Sequence, residues 1–97
     1  MTAKEILKTM REEKMISMTP YKKDNNIMFW IVFGNCEMFL KITGIEIEAV
    51  KTVGFEKGLE VFKEFKKQGY KKIKLTETLI NKLKRTQKEL LKQAIFG

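Results

Sequence analysis

Apolar positions concentrate in one stretch, Ile27-Met28-Phe29-Trp30-Ile31-Val32-Phe33, and resume after Gly34-Asn35 in Cys36-Glu37-Met38-Phe39-Leu40-Lys41-Ile42. Two apolar runs separated by Gly-Asn predict a β-hairpin, because these two residues tolerate the positive φ of tight turns. With Gly34-Asn35 as the turn, Phe33 faces Cys36, Ile31 faces Met38, Phe29 faces Leu40 and Ile27 faces Ile42, all on one side. The other side pairs Val32 with Glu37, Trp30 with Phe39 and Met28 with Lys41. Thr43-Gly44 predicts a second turn that sets Ile45 opposite Ile42, Ile47 opposite Leu40 and Ala49 opposite Met38. Glu46 and Glu48 then fall on the Trp30 side, with Glu46 across from Lys41. A slip of one residue would invert every side chain, so the agreement of both turns predicts a three-stranded antiparallel meander over 27–33, 36–42 and 45–53.

Elsewhere the period changes from two to 3.6. Thr2 and Glu5 fit a capping box, and Ile6, Leu7 and Met10 share a face, predicting a short helix over 3–13. Met15 to Met18 is a candidate short strand, which Thr19-Pro20 is expected to break, and Lys22 to Asn26 reads as a polar loop. Phe55, Leu59, Phe62 and Phe65 predict a helix over 55–68, stopped by Gly69. Residues 70–75 read as a short edge strand joined by a crossover. Leu79, Ile80, Leu83, Leu90, Leu91 and Ala94 predict a last helix over 77–94, capped by Thr76 or Thr78. The fold class is α+β in a single domain. The Phe29/Ile31/Phe33/Met38/Leu40 side is expected to pack under the two C-terminal helices. That leaves the Trp30/Phe39 side with only the short first helix, or a second copy of the chain, to cover it.

Charge adds an asymmetry. The net charge is +8 over 97 residues, but residues 1–54 contribute only +1 and residues 55–97 contribute +7. An uneven positive balance points toward an anionic partner. Eighteen of the twenty basic residues are lysine, with Arg11 and Arg85 the exceptions. A lysine, isoleucine and asparagine bias also follows from AT-rich coding sequence, as in a low-GC bacterium or its phage. No apolar run nears the ~20 residues a membrane helix needs. With no signal-peptide pattern and one cysteine, Cys36, a cytoplasmic protein without disulfides is expected.

The absences narrow the chemistry. There is no histidine, one serine (Ser17) and one aspartate (Asp24), so Ser-His-Asp and Cys-His arrangements cannot form within the chain. No zinc set and no glycine-rich phosphate motif is present, and neither metal nor cofactor is expected. Glu37, Glu46 and Glu48 share a strand face, but no groups with mutually consistent catalytic geometry accompany them. The protein is expected not to be an enzyme.

Two binding surfaces remain. Lys71, Lys72 and Lys74, with Lys84, Arg85, Lys88 and Lys92 on the far side of the last helix, would neutralise nucleic-acid phosphates with release of counterions. Arginine makes the bidentate contacts that read guanine, so its scarcity favours association without sequence preference. The other surface is Trp30 and Phe39 beside Lys41, or a sheet edge, which would suit a protein partner for an inhibitor or accessory factor of phage or mobile-element type. A homodimer is compatible with either.

Overall fold

The computed structural model describes residues 1–96. Helix α1 (Ala3–Glu12) opens with the predicted capping box. The Thr2 N–H donates to Glu5 Oε1 at 3.0 Å, and the Glu5 N–H donates to Thr2 Oγ1 at 3.2 Å. Strands β1 (Met15–Lys23), β2 (Asn26–Phe33), β3 (Glu37–Thr43) and β4 (Glu46–Thr52) follow as an antiparallel meander. Helix α2 (Phe55–Gln68), the two-residue strand β5 (Lys71–Lys72) and helix α3 (Glu77–Phe96) complete the chain. The sheet order is β4-β3-β2-β1-β5.

The β2–β3 register is the expected one at every pair, from Ile27 opposite Ile42 to Val32 opposite Glu37. Its turn is Gly34-Asn35, closed by Phe33 N–H donating to the Cys36 carbonyl at 2.9 Å, yet neither turn residue takes a positive φ. The β3–β4 turn differs by one position. Gly44 and Ile45 form it, Thr43 faces Glu46, and Ile42 faces Ile47 rather than Ile45. Gly44, at φ +59°, holds the first central position, where a II′ turn takes glycine. The partner shift is two residues, so Ile47 and Ala49 stay on the predicted face and Glu48, not Glu46, faces Lys41.

Strand β1 corrects the sequence expectation most. It runs through Thr19-Pro20 without a break, and Asp24-Asn25, with Asp24 at φ +52°, makes a tight turn into β2. Proline is tolerated because of which way it points. Residues 17, 19, 21 and 23 bond to β2, and Pro20 directs its backbone to the other side. There its carbonyl accepts from the Ile73 N–H at 3.1 Å. Having no N–H to return, Pro20 also ends the ladder, so the strand expected over 70–75 is confined to Lys71–Lys72.

The assignment of helices to faces also differs from expectation. Phe29, Ile31, Phe33, Met38 and Leu40 pack under α1 and α3, together with Ile6, Leu79, Leu83 and Leu90. Helix α2 covers the opposite face, where Phe62 and Phe65 lie with Tyr21, Met28, Phe39 and Tyr70. Since β4 and β5 both run antiparallel to odd-numbered neighbours, they are parallel to each other, and α2 crosses the three strands between them. Its 14 residues, at about 1.5 Å each, reach about as far as five strands spaced about 4.8 Å apart. Gly58 meets the sheet at Glu37, whose carboxylate occupies the space a side chain there would need. The helix is thereby rotated so that Val61, Phe62 and Phe65 face inward and Phe55 is 72% exposed.

Trp30 is stacked between Phe39 (5.3 Å between ring centroids) and Phe62 (4.6 Å). Its indole Nε1 is buried without a hydrogen-bond partner. Phe39 is 1% exposed. Replacing Phe39 with alanine is therefore expected to destabilise the fold by about 3–5 kcal/mol, through lost burial and the cavity left behind. Trp30→Phe keeps the stack and removes an unpaired donor, and should cost far less. Chemical denaturation of the two variants checks the contrast.

Candidate nucleic-acid interface

Helix α3 is amphipathic over its whole length. Leu79, Leu83, Thr86 and Leu90 are its buried positions, and Thr86 satisfies its hydroxyl by donating to the Lys82 carbonyl at 2.9 Å. Thr76 caps it, accepting from the Leu79 N–H at 3.3 Å. At 100° per residue, Lys84, Arg85, Lys88 and Lys92 then point away from the sheet, and all four are exposed. Lys92 pairs with Glu89 at 3.4 Å, whereas Lys84, Arg85 and Lys88 make no ion pair among the described residues.

Helix α1 adds cations that periodicity within α3 alone cannot reveal. It packs antiparallel to the C-terminal half of α3: Gln87 Nε2 approaches Met10 Sδ at 4.0 Å, and Leu7 and Leu91 share a groove. That groove, about 430 Å³, has Leu7, Met10 and Leu91 as its apolar part and Arg11, Lys84 and Lys88 as its cations. Lys4, Lys8 and Arg11 follow i, i+4, i+7 spacing, which was readable in the sequence; their adjacency to α3 was not. Together α1 and α3 carry eight basic and four acidic side chains, against four and three on α2. Half of the net charge of +8 thus lies in one helical layer.

The lysines around β5 do not join that layer as a block. Lys71 pairs with Lys22 and lies on the α1/α3 side, while Lys72 pairs with Tyr21 and lies on the α2 side. Lys74 is exposed in the connection to α3. Trp30 and Phe39 lie beneath α2, and Lys41 is half-buried between Met28 and Glu48.

A second cleft, about 520 Å³, opens between the β3–β4 turn and α3, with Ile42, Ile45 and Ile47 on one wall and Lys82, Arg85 and Glu89 on the other. Among the described residues, no group of three or more His, Cys, Asp or Glu side chains could hold a metal ion. Glu37 accepts from the Thr52 hydroxyl at 3.5 Å, and Glu46 and Glu48 are exposed on β4, so the three strand carboxylates do not converge on a common partner. None of the described helices is long and apolar enough to cross a membrane. Comparison of the chain with protein-family models, curated proteins and solved structures yields no match.

Cys36 is buried beside the β2–β3 turn, and burial pushes its thiol up, against the opposing influence of Lys51. A raised thiol carries less thiolate at neutral pH, and the thiolate is the nucleophile. Thiol–disulfide exchange at Cys36 at pH 8 is expected to run about tenfold or more slower in the native protein than in denaturant. Rate measurements with a chromogenic disulfide reagent test this.

Proposed function

We propose that the protein is a non-enzymatic module that associates with nucleic acid without reading its sequence. The observation that carries this is the basic layer: Lys84, Arg85 and Lys88 face solvent without carboxylate partners, and α1 sets Arg11 beside Lys84 and Lys88. Two antiparallel helices with cations along their outer faces match a phosphate backbone better than one helix does, because contacts extend in two directions. Lysine predominates, so the attraction is that of point charges and is dominated by counterion release. No aromatic side chain projects from this layer in a position to stack on bases, apart from Phe96 at its C-terminal end. Lys71 and Lys74 extend the positive region toward the sheet edge.

A second function, as a protein-interaction module of inhibitor or accessory type, draws support from the sheet rather than the helices. The Trp30/Phe39 pair would serve it only if α2 moved away. The outer edge of β4 is the surface that favours it without rearrangement.

Binding to duplex DNA or RNA should fall steeply between low and moderate salt. Removing one phosphate-binding cation should flatten the plot of log affinity against log salt by about 1. Reversing Lys84, Arg85, Lys88 and Lys92 to glutamate is expected to abolish gel shifts at low salt, and Lys8→Glu with Arg11→Glu to weaken them. Trp30→Phe should leave binding unchanged. Absence of binding to DNA and RNA at low salt would refute the proposal.

A further inference from the structure

The two edges of the sheet are built differently. At the β1 edge, Lys71 and Lys72 make up all of β5, Pro20 withholds a donor, and a bulge between Met15 and Ser17 interrupts the register. Each of these discourages the addition of another strand. Strand β4 has seven residues, no proline, no bulge and one lysine, Lys51. Because the pair closing a two-residue hairpin is hydrogen-bonded, Glu46, Glu48, Val50 and Thr52 bond to β3. Ile47, Ala49 and Lys51 therefore turn their N–H and C=O groups outward. Among the described residues, that outward row has one partner: the Met1 amine, 3.4 Å from the Ala49 carbonyl oxygen. The contact is long and Met1 is itself exposed, so an incoming strand has only this one bond to displace or share.

Apolar exposure gathers at the same edge. Ile45 is 95% exposed, Val50 47%, Val53 69% and Phe55 72%, all within one short segment. An open ladder beside a cluster of exposed apolar side chains is a surface that favours a partner.

We infer that β4 pairs antiparallel with β4 of a second copy, about a twofold axis through Val50 and perpendicular to the sheet. In that register Val50 faces Val50 of the second copy, Ile47 faces Val53, and Glu48 faces Thr52. Ala49 and Lys51 face each other and exchange their outward N–H and C=O groups. The Val50 pair occupies a non-hydrogen-bonded site, where opposed side chains come closest. Beyond the strand, Ile45 of one copy is brought toward Phe55 of the other. No like charges oppose one another, since Glu46 falls opposite Gly54. Moving the axis to Ala49 sets Lys51 against Ile47, and moving it to Lys51 opposes two lysines; neither register matches apolar residues as the Val50 axis does. The fit is self-complementary, which is what a twofold interface requires, and so the occupant is a second copy of this chain.

Sedimentation equilibrium without nucleic acid keeps this test independent of the proposed function. The expected particle has twice the 11.4 kDa chain mass. Val50→Lys opposes two ammonium groups at a half-exposed position, and should raise the dimer dissociation constant about tenfold or more while leaving the circular dichroism spectrum of the fold in place. Val50→Cys should oxidise to a covalent dimer linked through position 50, and Glu48→Cys, which faces Thr52, should not. A monomer at every concentration, or a dimer in which any of these variants behaves otherwise, overturns the inference.

Discussion

The structure depends on the double burial of the central strands. Strand β2 is apolar on both faces from Ile27 to Phe33, and the run from Met38 to Ile42 in β3 is interrupted only at Lys41. A sheet whose middle is apolar on both sides must be covered on both sides, because its pleat sends alternate side chains in opposite directions. The remaining residues meet that demand with three helices. Helix α2 alone spans the Trp30/Phe39 face, and its Phe62 and Phe65 extend the aromatic stack begun within the sheet. The other face falls to α1 and α3, neither of which would cover it alone. Their charged outer surfaces follow from this division of labour, since each inward apolar stripe leaves an outward face that must be solvated.

The features that were legible in the sequence had two independent signals behind them. The β2–β3 register was supported by turn chemistry and by alternation, and α2 by periodicity and by Gly69, which takes φ +104° at the helix end. Where only one signal existed, it misled. Thr43-Gly44 and Gly44-Ile45 place the same residues on the same faces, so alternation cannot tell them apart; only the turn geometry of Gly44 decides. Proline at position 20 reads as a break unless the side of the strand it faces is known, and that depends on pairing with β2. Amphipathic stripes carry no address either. The pattern of α1 says that it covers something, but whether it joins α3 or shields Trp30 is settled by where the crossover puts α2.

The candidate site was legible in part for a related reason. The α3 cations are neighbours in one helix, and their grouping follows from 3.6-residue periodicity alone. Arg11 comes beside Lys84 and Lys88 only through antiparallel packing of the first helix on the last, which joins the two ends of the chain. Lys71 and Lys72 illustrate the converse: adjacent in sequence, they lie on opposite faces of the sheet because strand neighbours always do. A surface that binds by charge has no spacing rule comparable to a metal or nucleophile motif, so tertiary structure decides which lysines act together.

The sheet edge connects these features. A twofold axis perpendicular to the sheet leaves corresponding faces of two copies on the same side. Pairing through β4 would therefore set both α1/α3 layers on one side of a continuous sheet and both α2 layers on the other. The sheet's twist would turn one basic layer relative to the other, as suits a partner that is itself helical. Electrostatic attraction to a polyanion grows with the number of phosphates met at once, so doubling the surface multiplies the two affinities rather than adding them. It also gives the unguarded β4 edge a physical reason. An edge blunted by lysines, as β5 is, would separate the two basic layers, whereas an edge of Ile47, Ala49 and Val50 can bring like-charged helices together through backbone bonds and apolar contact, at a distance from the charges themselves.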